Sequence, residues 1–267
     1  MTFFLCRVRF HCQAIDSLRF PPYKAANLLR GALGTILPAS VFAPKAGRTG
    51  PSGLEDQPRP FVFRAAHLDG TSISPGQPFH FDLNVFDQLL EVRGQLVEAV
   101  TGIVRRGIGP GRGRAELLDV TSEPIELRLC ADPAPVPRIT VRFVTPTELK
   151  DRGRIVTQPE FGILFARARD RISSLRAFYG PRPLDIDFRA LGERAAQVRM
   201  TRCEIRIIDV QRRSSRTGQI HSLGGFVGEA GYEGALAEFV PFLEAAQFTG
   251  VGRQTVWGKG QLEICRA

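Results

Sequence analysis

The chain has 267 residues, 43% of them hydrophobic and 24% charged, with a net charge of +9 and a pI near 9.9. That length suits one large or two small globular domains, and no run approaches the roughly 20 apolar residues of a membrane span. Five scattered cysteines without a C-x-x-C pair argue against zinc or a disulfide framework and for a reduced, cytoplasmic setting.

Of the 36 basic residues, 32 are arginine; lysine stands only at positions 24, 45, 150 and 259. Arginine presents a planar fork to phosphate and stacks on bases, so the excess points to a polyanionic partner, RNA above all. The opening "TFFLCRVRFHC" alternates as a strand does, with Arg7 and Arg9 breaking any signal-peptide core. "PPYKAANLLRGALGTIL" follows as a helix with proline at its entry and Leu29, Ala32, Leu33 and Ile36 on one face. On its other side Tyr23, Asn27 and Arg30 form a polar stripe beside Lys24. Residues 38 to 60 show little periodicity and read as an irregular insertion. "PFVFRAAHL" and "QPFHFDLNVF" are strands, "QLLEVRGQLVEAVTGIV" a second helix, and "GIGPGRGRAELLDV" a glycine-rich loop running into a strand.

"ADPAPVPR", residues 131 to 138, reads as a proline-rich linker. Beyond it the order repeats. "RITVRFV" is a strand, and "FGILFARARDRISSLRAFYG" a helix with Phe161, Leu164, Phe165, Ala168 and Ile172 inward. "QVRMTRCEIRIIDVQRR" and "GQIHSLGGFVGEAGY" are strands. "GALAEFVPFLEAAQF" is a helix carrying Leu236, Phe239, Val240 and Leu243, which Pro241 should kink. "GVGRQTVWGKGQLEI" is again a glycine-rich loop running into a strand. Two βαββαβ units, residues 1–130 and 139–267, are therefore expected: an α+β chain of tandem ferredoxin-like domains with a C-terminal glycine-rich loop.

The loops do not match common nucleotide motifs. "GKG" puts Gly260 where a Walker loop needs Ser or Thr, and a strand follows where a helix should. No clustered His and Cys suggest a metal, "DID" at 185 to 187 is too little for a two-metal nuclease, and no nucleophile elbow is present. No cofactor is expected.

The segment from "GGFVGEAGY" through "GVGRQTVWGKGQLEI" resembles the C-terminal signature of the CRISPR-associated precursor-crRNA endoribonucleases of the repeat-associated (RAMP) superfamily. Gly250, Gly252, Thr255, Gly258, Gly260, Glu263 and Ile264 fit its glycine-rich pattern, and "NLLRGALG", "PRPFVFR" and "RFVTPTEL" resemble other parts of the family. The resemblance implies a cytoplasmic enzyme that binds CRISPR repeat RNA and cuts it once per repeat without a metal ion. The substrate's 2′-hydroxyl attacks, leaving a 2′,3′-cyclic phosphate and a 5′-hydroxyl. It implies crRNA and other CRISPR effector subunits as partners, in a monomer or homodimer with no membrane. A non-catalytic crRNA-binding subunit of an effector complex is the alternative.

Many members of that family carry a histidine in or just after the first helix, which this chain lacks. Candidates for the chemistry are Tyr23, Lys24, Lys45, His67 and His221; His11 and His80 read as structural. Candidates for RNA binding are Asn27 and Arg30, the stretch with Arg212, Arg213, Ser215 and Arg216, and the closing loop with Gly250, Gly252, Arg253, Gly258, Lys259 and Gly260. There, glycines would bring backbone N–H groups to phosphates while Arg253 and Lys259, with no core role, add charge. Trp257 reads as a core anchor.

Overall fold

A computed structural model describes residues 1–38, 41, 47–51, 56–213 and 220–266. The first half contributes β1 (Thr2–Ala14), β2 (Leu18–Arg19), α1 (Ala25–Leu33), β3 (Phe61–Arg64), β4 (Ser72–Ile73), β5 (Pro78–Val85), α2 (Leu90–Arg106) and β6 (Ala115–Arg128). The second contributes β7 (Arg138–Thr147), β8 (Lys150–Asp151), β9 (Arg154–Ile155), α3 (Phe161–Tyr179), α4 (Phe188–Ala195), β10 (Arg199–Ile208), β11 (Gln211–Arg213), β12 (Ile220–Ser222), β13 (Gly225–Glu233), α5 (Val240–Thr249) and β14 (Leu262–Arg266). Short 3-10 turns lie over Ala66–Leu68 and Thr255–Trp257.

Each half is built on a four-stranded sheet, β3-β5-β1-β6 in the first and β10-β13-β7-β14 in the second. Every neighbouring pair in both is antiparallel. Numbered within its half, each sheet has the order 2-3-1-4, so the closing strand returns beside the opening one and carries the glycine-rich loop before it to the sheet's end. The short pairs β2–β4, β8–β9 and β11–β12 are hairpins or clips outside these sheets.

Strand alternation decides where the cores sit. Along β1, Cys6, Val8, Phe10 and Cys12 are buried in a cluster with Leu29 and Leu33 of α1 and Leu96 and Val100 of α2. Phe3 and Leu5 point the other way and join the second half's core, together with Val62, Phe86, Leu127 and Leu129. Farther along that same face, Arg7, Arg9 and His11 leave the sheet polar and half-buried. The second core is strongly aromatic, with Phe161 against Tyr232 at 5.2 Å between centroids and Phe165 against Phe239 at 4.7 Å. Tyr232 directs its hydroxyl to the Pro159 carbonyl at 2.6 Å, so its polar atom is satisfied inside the core.

Four features differ from the sequence expectation. Pro241 does not kink α5: the helix starts at Val240, so the ring falls in the first turn, where its missing N–H costs nothing. Residues 131–138 are not a free linker, because Val136 is buried and the segment bonds to the second half through Asp132 N–Ala237 O and Leu236 N–Val136 O. Helix α1 is shorter than the pattern suggests. Helix α4 was not expected at all: Asp187 caps it, its carboxylate accepting from the Arg189 and Ala190 N–H groups at 3.0 and 2.9 Å.

Candidate active site

The closing loop is positioned by the end of α5. The last carbonyls of a helix lack intrahelical donors and carry its negative pole. Here Arg64 reaches from β3 to the Gln247 carbonyl at 2.9 Å, Asn84 from β5 to Phe248 at 2.9 Å and Arg171 from α3 to Thr249 at 2.7 Å. Two of the three side chains come from the first half, so this helix end ties the halves together.

The glycines that follow are spent on contact with protein. A Cβ on Gly252 would fall 2.3 Å from the Glu148 carbonyl, on Gly258 2.2 Å from the Ala26 Cβ, and on Gly260 1.9 Å from the Val251 carbonyl. All three have positive φ, which glycine adopts freely. Several loop N–H groups are already donated: Val251 to Gly260, Arg253 to Glu148, Gly258 to Thr255 and Gly260 to Pro146. The loop is thus a wedge against α1 and the β7–β8 turn, which accounts for its composition without a phosphate.

Its effect is felt at the start of α1. Gly258 meets Ala26, Trp257 lies under the Arg30 guanidinium at 4.9 Å in a cation–π contact, and the Lys259 ammonium donates to the Tyr23 carbonyl at 3.2 Å. Lys259 is 2% exposed. Burial, reinforced by Lys24 and opposed by Asp69, lowers its pKa to about 8. It is a positioning residue and not the exposed cation that the sequence suggested. Lys24, the N-cap of α1, makes no side-chain cap. Asp69 supplies that bond from a distance, accepting from the Ala25 N–H at 2.8 Å. Burial raises the Asp69 pKa, while Ala25 and Lys259 hold it down.

Tyr23 is thereby held in the left-handed region at φ 58°, a costly conformation for a bulky residue. Its hydroxyl accepts from Arg206 of β10 at 3.1 Å. Tyr23, Lys24 and Asn27 are half-buried and Arg206 is exposed, so a phenol from the first half and a guanidinium from the second meet beside the start of α1. The Asn27 Oδ1 is buried without a hydrogen-bond partner among the described residues.

The expected residues divide accordingly. Tyr23, Lys24, Asn27, Arg30, Gly258 and Lys259 come together. Gly250 and Gly260 shape the loop, while Gly252 and Arg253 line a different cavity with Lys150 and Arg171, where Arg253 pairs with Glu148. His67 makes its contacts with a second histidine: its Nε2 meets the His80 carbonyl at 2.9 Å and its ring stacks on His80 at 4.4 Å, with His11 at 6.1 Å from His80, while it stands near enough to Asp69 to help hold that carboxyl down. Arg212 and His221 pair through their backbones in the β11–β12 hairpin. The base of this hairpin meets the loop, where Gln254 donates to the Ser222 carbonyl at 2.8 Å. The side chains of Arg212, Arg213 and His221, and the whole of Lys45, Ser215 and Arg216, lie outside the described residues. Arg206 and Asp69 were missed, since neither belongs to a local motif. Among the described residues, no group of three or more His, Cys, Asp or Glu is arranged to hold a metal ion, and no helix is long and apolar enough to cross a membrane.

Residues 141–262 match the family model of the CRISPR-associated endoribonuclease Cas6, and residues 39–129 a model described as an N-terminal domain. No curated protein matches the chain in sequence. Among solved structures, the chain is similar to a Cas6 (TTHB231) product complex with a TM-score of 0.63 at 18% identity, covering 98% of this chain and 99% of that one. Thermus thermophilus Cas6 (TTHB231) matches with a TM-score of 0.59 at 15% identity over 99% of both chains. A Cas6 (TTHA0078) substrate mimic complex matches with 0.59 at 16% identity over 98% of this chain and 100% of that one. These similarities establish the fold.

Proposed function

Because the chain belongs to the Cas6-type family of CRISPR RNA-processing endoribonucleases, we propose that it cuts precursor crRNA within each repeat by attack of the substrate's own 2′-hydroxyl, with no metal ion. The halves, each βαββαβ with strand order 2-3-1-4, support a reading as tandem ferredoxin-like domains over 1–130 and 139–267. The repeat RNA lies across their junction.

The observation that carries this reading is the contact of Arg206 with Tyr23 across the two halves. Because the phenol oxygen accepts from Arg206, its own O–H is left to donate. In the reaction the 2′-oxygen loses its proton to a base and bonds to phosphorus. The bond from phosphorus to the 5′-oxygen breaks, and that oxygen takes a proton from Tyr23. Arg206 and Lys24 offset the charge that builds on the pentacoordinate phosphate. For the base we assign His221, the histidine on the hairpin that the glycine loop holds through Ser222. Products are a 2′,3′-cyclic phosphate and a 5′-hydroxyl.

Single-turnover cleavage of the cognate repeat RNA tests these roles. Arg206→Ala should slow cleavage about 100-fold or more, the scale of one lost transition-state donor. Tyr23→Phe and His221→Ala should slow it by about 100-fold each, and none of the three should weaken RNA binding tenfold. Tight binding with no cleavage by the wild type would instead leave an RNA-holding subunit of an effector complex.

A further inference from the structure

The first half's glycine-rich loop plays no part in that site, yet it borders a groove of about 610 Å³ between α1 and α2. The groove has an apolar floor that includes Leu28, Ile36 and Ile103, and Arg106 and Arg112 at its edge. Among the described residues, no carboxylate lines it. Neither guanidinium makes an ion pair or hydrogen bond among the described residues, and both side chains are exposed.

Arg106 alone has an ordinary explanation, since a cation in the last turn of α2 complements the helix pole. Arg112 does not, because it lies beyond the helix. The loop closes on itself through Ile108 N–Gly113 O at 2.8 Å. Arg112 is held at φ 47°, a conformation unfavourable for a residue with a side chain. The same turn presses Gly107 against the Arg112 carbonyl, 2.3 Å from where a Cβ would stand.

The groove joins the active site through α1. Asn27, in the first turn of α1 and shortly after Tyr23, lines it. Gly31 opens the same face: a Cβ there would meet nothing within 4 Å.

We propose that this groove binds a single-stranded RNA segment flanking the cut, its phosphates on Arg106 and Arg112 and its bases on the apolar floor. The identity of the strand rests on the cleavage reading above. An apolar floor under unpaired arginines suits an unstacked strand, because a duplex keeps its bases stacked inside.

The test is binding of repeat RNA made uncleavable by a 2′-deoxy at the cut nucleotide, either trimmed to a short core that keeps the scissile phosphate with a nucleotide on each side of it, or extended on the 5′ or the 3′ side. Two variants are compared with the wild type: Arg106→Gln with Arg112→Gly, which removes charge, and Gly31→Leu, which fills the groove and keeps charge. One extension should tighten wild-type binding about tenfold. Both variants should lose that gain while binding trimmed RNA as the wild type does. The first should also flatten the salt dependence on extended RNA by about 1.4 in the log–log slope, as for two single-strand phosphate contacts. No gain from either extension, or equal losses on trimmed and extended RNA, would overturn the groove assignment. Cleavage of the 2′-hydroxyl trimmed RNA, run in parallel, reports separately on the cleavage reading. Cutting without a flank gain removes the groove alone; a flank gain without cutting removes the cleavage and leaves the groove.

Discussion

The two glycine-rich loops occupy equivalent places, each between the last helix and the last strand of its half, and they do different work. The first, around Gly107 to Gly113, closes on itself and holds Arg112 out to solvent. The second, Gly250 to Gly260, is packed against the other half and buries its lysine. A glycine-rich stretch in a basic protein therefore does not by itself mark a phosphate site. Here the more glycine-demanding loop is the docking element, and what it supports is the start of α1.

This contrast can be broken, or sharpened, at single residues. The largest effect is expected at Gly260→Ala, whose new methyl would collide with the Val251 carbonyl in a backbone that disfavours any side chain. A loss of about 3–5 kcal/mol, read as a fall in Tm of roughly 10 °C, is expected. An unchanged Tm would mean the loop is looser than its contacts require.

Next is the pH dependence of the buried lysine. Its folded pKa of about 8 lies below the ordinary 10.5, so below pH 8 both states hold the proton and the folded state bears the full burial cost. Between pH 8 and 10.5 the unfolded chain binds more protons, and stability rises with pH by up to about 3 kcal/mol. Lys259→Met removes that component. The difference in Tm, wild type minus variant, should therefore climb across this window; a flat difference would mean the amine is solvated.

The smallest effect is expected in the other loop. Gly111→Ala meets open space and should alter stability by no more than about 0.5 kcal/mol. A loss comparable to that of Gly260→Ala would erase the distinction between the loops.

Much of the scaffold was legible because burial imposes a period. Phe161, Leu164, Phe165, Ala168 and Ile172 stand at helical spacing and are all buried, as are Leu236, Phe239, Val240 and Leu243. Helix α4 escaped because it buries only Leu191 and Ala195, too few for a period, and its signal was the single capping Asp187. The site was legible in part where it is local: Asn27 and Arg30 lie on α1 as their spacing suggests, whereas Tyr23, expected on the same stripe, stands before the helix in the left-handed region. Arg206 was not, since alternation merely turns it outward, and its meeting with Tyr23, 183 residues away, depends on how the halves dock. Lys259 was read as a surface charge because nothing adjacent in sequence reveals Asp69 or the Tyr23 carbonyl.

The central claim is that this chain cuts repeat RNA with the RNA's own 2′-hydroxyl. It is met most directly by incubating purified protein with its cognate CRISPR repeat RNA in excess EDTA, beside the same RNA carrying a single 2′-deoxy at the cut nucleotide. Cleavage that persists in chelator, yields a 2′,3′-cyclic phosphate and a 5′-hydroxyl, and disappears with the deoxy substrate is the expected result. Cleavage abolished by EDTA, or continuing at the deoxy nucleotide, would contradict it.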